Sequence, residues 1–279
     1  MVYKEDGVNN IVEFYDGKNF STGTVQDLTN LKAHRWSGEH CFIRPEKKKD
    51  GEIETLKEAF LQFNEQASAL FEITKKMGLG LNLYNAEGSY KIAALWLFEK
   101  LSQGVIHNQE LDPLESKWIS DAIKGGLIWA ENNWKGYGEQ YDVTSMYPYL
   151  MCKMQWPVGK GEFRTVKDFE YNNQGQMFTH YGLFKAKIEK QENTNKLFRY
   201  NSSGIYTHLD LKRARDLGLT VTLDSLGPNA LIYSGKAKIQ GQVMFGAYVD
   251  FLLKVKNNSG PAASLAKKIL NTLWGALCQ

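Results

Sequence analysis

Residues 141–151, YDVTSMYPYLM, place one carboxylate, Asp142, at the end of an apolar, strand-like run and follow it with Tyr147 and Pro148. Side chains alternate faces along a strand, so Asp142 and Thr144 are expected to point one way and Val143 and Ser145 the other. Pro148 suits a first helical position, where its missing N–H would have gone unpaired anyway. The stretch therefore predicts a strand, a tight turn and a helix start. A carboxylate beside a helix N-terminus can hold a divalent metal that carries phosphates. It can equally be a solvated or capping acid, and the stretch alone leaves both readings open.

Working outward, Ile53, Leu56, Phe60, Phe63, Leu70 and Phe71 recur at helical spacing and predict a helix over 52–77 that stops at Gly78. Further helices are expected over 89–103 and over LESKWISDAIKGG, 114–126. GLIWAE (126–131) and YDVTSMY read as two strands of a hairpin around the turn NNWKGYGEQ. YGLFKAKI (181–188) and LTVTLDSL (219–226) read as strands, and THLDLKRARDLG (207–218) as a helix with Thr207 and Asp210 forming a capping box. QVMFGAYVDFLLKVK and AASLAKKILNTLWGALCQ are helical, separated by NNSGP, and the last runs to the end of the chain without a cap. No internal repeat or low-complexity tract is present.

The composition, 43% hydrophobic and 13% aromatic over 279 residues, is that of a globular protein. A net charge of +3, from 34 basic against 31 acidic residues, is too small to argue nucleic-acid binding from total charge. The three cysteines, Cys41, Cys152 and Cys278, lie far apart without a C-x-x-C pair, which points away from a disulfide framework and towards a reducing, intracellular setting. The longest apolar run, IAALWLF at 92–98, is too short to span a bilayer, so a soluble protein with no membrane partner is expected.

KKILNTLWG, 267–275, is the second informative stretch. At about 100° per residue, Lys267, Asn271, Trp274 and Gly275 share one helix face while Leu265, Ile269, Leu270, Leu273 and Leu277 take the other. The first face offers a cation for phosphate oxygens, an amide, a flat ring and a gap for close approach. Read alone, it is also what a solvated polar face looks like.

In order, YDVTSMYP resembles motif A of the family B DNA polymerases (D-x-x-S-L-Y-P), and KKILNTLWG resembles their motif B (K-x-x-x-N-S-x-Y-G). KGG at 124–126 resembles the Y-x-G-G element joining exonuclease and polymerase domains in the protein-primed branch, found in small phages, adenoviruses and organellar linear plasmids. Thr272, Trp274, Ala276 and Ile123 depart from the usual residues of these motifs.

The resemblance implies an α+β, partial right-hand polymerase. Residues 1–112 would be a helical region like the tail of an exonuclease-like domain, 113–160 a palm segment with the linking motif and motif A, 161–240 a mixed α/β insertion, and 241–279 the fingers helices with motif B. Asp142 would be the catalytic aspartate binding Mg²⁺, aided by the Val143 carbonyl. Ser145, Met146, Tyr147, Lys256, Lys267 and Asn271 would bind nucleotide, with Tyr147 under the sugar so that a ribose hydroxyl collides with it. Gly125, Gly126, Trp274 and Gly275 would contact DNA. Implied partners are a DNA template and primer, deoxynucleoside triphosphates and a terminal priming protein, in a mitochondrial linear-plasmid or viral setting.

The family's second palm motif, Y-x-D-T-D-S, follows motif B, and these 279 residues contain no Asp-x-Asp. The expectation is a truncated chain, inactive by itself, with a noncatalytic remnant that binds DNA or a priming protein as the alternative. Asp50 and Glu52 suit a charged loop better than an exonuclease metal site. His34, His40 and Cys41 lack a fourth zinc ligand at suitable spacing. The lysines of EKKKD and LKRARD fit solvated faces.

Overall fold

The computed structural model describes residues 11–15, 20–24, 56–85, 89–102, 110–167, 170–171, 177–178 and 180–277. It is α+β, as expected, and divides into two compact units. A helical unit takes Met1–Ile106, Ser145–Met154 and Gly241–Gln279; a mixed unit takes His107–Thr144 and Gln155–Gln240. The exonuclease and zinc candidates, Asp50, Glu52, His34, His40 and Cys41, lie outside the described residues, as does EKKKD.

In the helical unit, β1 (Ile11–Tyr15) pairs antiparallel with β2 (Phe20–Thr24). Helices follow at α1 (Leu56–Lys75) and α2 (Tyr90–Leu101). The end of α1 is held by Thr74, whose hydroxyl donates to the Leu70 carbonyl at 3.0 Å and accepts from the Leu81 N–H at 2.8 Å. Gly78, at φ +76°, turns the chain there as a C-terminal glycine does. The Ser89 hydroxyl caps α2 by accepting from the Ile92 N–H.

Among the described residues, three more helices belong to this unit: α4 (Met146–Lys153), α6 (Gly241–Asn257) and α7 (Ala262–Leu277). The apolar stripe of α7, Leu265, Ala266, Ile269, Leu270, Leu273 and Ala276, is buried against α1, α2 and α6. Phe98 stacks on Phe245 with ring centroids 5.1 Å apart, and the Tyr248 hydroxyl donates to the Ile269 carbonyl at 2.8 Å. Burial pushes the Tyr248 phenol well above its usual range, so it stays a donor. Leu277, expected in the stripe, is exposed in the final turn of α7.

In the mixed unit, α3 (Pro113–Ala122) opens with Asp112, whose carboxylate accepts from the Leu114 and Glu115 N–H groups. Short strands β3 (Gln155–Pro157), β4 (Glu162–Arg164), β5 (Glu170–Tyr171) and β6 (Met177–Phe178) precede β7 (Gly182–Ile188). Then come β8 (Ile205–Thr207), α5 (His208–Asp216), β9 (Val221–Leu223), β10 (Ala230–Ile232) and β11 (Lys238–Gln240). The main sheet runs β4-β10-β7-β8, with β9 also on β7, and every pairing is antiparallel.

Alternation along β7 sends Phe184, Ala186 and Ile188 into the core with Leu211 and Ala214 of α5. Gly182 is required at the start of β7, because a Cβ there would lie 2.1 Å from the Leu231 carbonyl oxygen. Thr207 and Asp210 form the capping box that their spacing predicts. Asn229, 1% exposed, accepts from the Val166 N–H and donates to the Val166 and Asp224 carbonyls.

The hairpin expected of 126–147 does not form: among the described residues, 123–144 join no backbone ladder. Ile128, Tyr137, Tyr141 and Val143 all face solvent. With neither face of the pair buried, nothing selects a register, and alternation in the sequence alone does not hold two strands together.

Glu115 is the carboxylate on which this unit closes, at 2% exposed. It accepts from the Tyr233 hydroxyl at 2.8 Å and from the Gly161 N–H at 3.0 Å, in the first turn of α3 where the helix dipole favours an anion. Glu115→Ala leaves the buried Tyr233 hydroxyl and the part-buried Gly161 N–H without their partner, so urea denaturation is expected to show a loss of about 2–4 kcal/mol, with Glu115→Gln losing less than half of that.

Candidate functional site

The helix after Asp142 starts earlier than Pro148 suggests. Met146 is its first residue, Pro148 is its third, and Ser145 is the N-cap. The first N–H groups of a helix are unpaired in any case, so proline is tolerated there as well as at the first position. Ser145 sits in the left-handed region at φ 55°, ψ 34°, and its side chain makes no capping bond. A non-glycine residue in that region costs roughly 1–2 kcal/mol. The Ser145 hydroxyl instead accepts from Lys256 Nζ at 3.2 Å.

Lys256 lies in the last turn of α6, which packs against α4. An uncapped helix start and an ammonium group thus meet at one point, which suits phosphate oxygens. Lys256 has three donors, so the bond to Ser145 leaves two for a ligand.

Tyr147, 52% exposed, stacks on Trp274 of α7 with centroids 6.3 Å apart and planes inclined by 29°. Contact between two such rings fixes the direction in which Tyr147 presents its plane. Burial of the opposite stripe turns Lys267, Asn271 and Gly275 outward, with Trp274 half-buried at the edge. No hydrogen bond or ion pair to a described residue engages Lys267 or Asn271. Ser145, Tyr147, Lys256 and Trp274, drawn from three separate stretches, therefore meet in the helical unit, and Met146 is exposed beside them.

Asp142 and Val143 belong to the mixed unit, where both are exposed. Among the described residues, no group of three or more His, Cys, Asp or Glu side chains could hold a metal ion. The donors on offer, the Asp142 carboxylate and the Val143 carbonyl, are hard oxygens. They suit Mg²⁺, which takes one or two protein carboxylates and leaves its other positions to water and phosphate. Gly125 and Gly126 lie after α3, where Arg199 donates to the Gly126 carbonyl. Nothing local in the sequence points to Arg199. In α5, Lys212, Arg213 and Arg215 are exposed, as a solvated face requires.

Residues 109–279 match the family described as DNA polymerase type B, organellar and viral. The chain belongs to this family. No curated protein sequence matches it. A search of solved structures finds similarity to Phi29 DNA polymerase in an orthorhombic crystal form, at 15% identity and a TM-score of 0.45. That similarity covers 98% of this chain and 55% of the other, so this chain spans about half the length of that one. Among the described residues, no helix is long and apolar enough to cross a membrane.

Gly275 offers a test of the outward face. A Cβ there would meet nothing, yet the residue lies inside α7. Gly275→Ala is expected to stabilise the protein by about 0.5–1 kcal/mol in urea denaturation, because alanine is the better helix former. If Gly275 allows close approach of DNA, the same variant binds a primer–template more weakly in a fluorescence-anisotropy titration.

Proposed function

We propose that this type B polymerase chain binds a deoxynucleoside triphosphate against DNA and serves template-directed DNA synthesis. The meeting of Ser145, Tyr147, Lys256 and Trp274 supports this reading most directly, since it combines a phosphate-binding helix start with an oriented aromatic plane. Lys256 and the unpaired N–H groups at the start of α4 contact the phosphates, with Lys267 adding a second cation. Ser145 and Met146 line the approach. Tyr147 packs under the sugar and leaves no room for a ribose 2′-hydroxyl, while Asn271 and Gly275 face the nascent base pair with Trp274 behind Tyr147. Gly125 and Gly126 touch the template strand.

The reaction is nucleotidyl transfer. The primer 3′-oxygen bonds to the α-phosphorus, the bond to the β-phosphate oxygen breaks, pyrophosphate leaves and the hydroxyl proton passes to solvent. Asp142 and the Val143 carbonyl would hold Mg²⁺, which when bound would supply activation of the hydroxyl and neutralisation of the triphosphate. Lys256 and Lys267 add fixed positive charge where the leaving group develops its own. Partners follow from this chemistry: template and primer DNA, deoxynucleotides and, in an organellar-plasmid or viral setting, a terminal priming protein. Binding of DNA or a priming protein without nucleotide addition is the competing reading.

One pair of assays on the full chain separates them. Titration of Mg²⁺–deoxynucleotide into the chain on a primer–template is expected to show affinity that falls about tenfold or more in Lys256→Met, equivalent to about 1.4 kcal/mol. Nucleotide affinity that depends on the matched templating base supports the polymerase reading, and DNA affinity indifferent to nucleotide supports the binding role; with no Asp-x-Asp in these 279 residues, primer extension by them alone is not expected on either reading. Unchanged nucleotide affinity in Lys256→Met contradicts the assignment of this site.

A further inference from the structure

The mixed unit concentrates polar contacts on the turn that leaves α3. The Asp121 carbonyl accepts from Asn201 Nδ2 at 2.7 Å and from the Ser203 hydroxyl at 2.8 Å. Lys124 pairs with Asp210 at 2.8 Å, its side chain only 13% exposed, with its ammonium 5.0 Å from the Tyr206 ring centroid. These contacts hold residues 121 and 124 but stop short of the two glycines. Glycine has the widest backbone freedom of any residue, so a Gly-Gly pair without an anchor would lose much entropy on ordering against a ligand.

Arg199 supplies that anchor. Its guanidinium donates to the Gly126 carbonyl, and a Cβ on Gly125 would lie 3.3 Å from it, so arginine packs along the pair as well as bonding to its far end. The contact spans 73 residues of sequence, from within the 161–240 segment back to the linking motif.

We infer that Arg199 is a positioning residue: it holds the Gly125–Gly126 backbone in the conformation that receives the template strand. This rests on the proposed template contact of those two glycines. The 161–240 segment then has a role in DNA binding without touching DNA through Arg199, because preorganising the turn lowers the cost of ordering it. A guanidinium that itself bound phosphate would behave differently, since each phosphate contact adds about one unit to the salt dependence of binding.

The test uses the full chain, Arg199→Ala and Arg199→Lys, with a labelled single-stranded oligonucleotide at several salt concentrations and trypsin cleavage after Lys124 followed by mass spectrometry. Positioning predicts that Arg199→Ala loses about five- to tenfold in affinity with an unchanged salt slope and an unchanged thermal midpoint. It also predicts faster cleavage after Lys124, and partial recovery of both properties in Arg199→Lys. A salt slope shallower by about one makes Arg199 a DNA ligand and overturns the inference, as does unchanged affinity or unchanged cleavage. If the wild-type chain binds no DNA, the template reading of Gly125 and Gly126 fails, while the cleavage rates still decide whether Arg199 holds the turn.

Discussion

Burial of the apolar stripe of α7 is the constraint from which the candidate site follows. Leu265, Ala266, Ile269, Leu270, Leu273 and Ala276 are committed to α1, α2 and α6, and at 3.6 residues per turn that leaves one direction for Lys267, Asn271 and Gly275. Trp274 falls at the boundary, where it can pack and still offer a plane to Tyr147. The Tyr248 hydroxyl secures the same helix from the other side through the Ile269 carbonyl. Rotating α7 by one residue would bury the lysine and expose leucines, so packing energy and ligand geometry are set together.

Against that scaffold, α4 contributes little core of its own, burying Pro148 and Met151. Its first turn is instead held by long-range contacts: Lys256 on Ser145 and Trp274 on Tyr147. Ser145 occupies a left-handed conformation that costs free energy, and the neighbouring lysine offsets part of it. Residues held in such sparsely populated conformations cluster at active sites and ligand clamps. The mixed unit follows another logic, in which buried polar groups such as Glu115 and Asn229 each bond to more than one partner and lock its short strands into one arrangement.

Much of this was legible in the sequence because it is local or periodic. The stripe of α7, the alternation of β7 and the capping box of α5 depend on residues within a few positions of one another, and the ordered motif stretches carried the family. What was not legible depends on distant partners. Pro148 suggested a helix start two residues too late, since Ser145 is held by a lysine 111 residues away. Glu115 reads as an ordinary first-turn acid until Tyr233, 118 residues on, arrives at it. The 126–147 hairpin failed for the opposite reason: its alternating pattern is real, but the described structure gives neither strand a partner or a buried face.

We propose that the stacking of Trp274 on Tyr147 aligns that ring against the sugar of a bound deoxynucleotide. A double-mutant cycle on the ratio of deoxy- to ribonucleoside triphosphate affinity, with Tyr147→Val, Trp274→Ala and the pair together, measures it most directly. Either single change is expected to erode the preference for the deoxynucleotide, and the double change to erode it little further, because both act through one ring. Additive losses, or a preference untouched by Tyr147→Val, would contradict it.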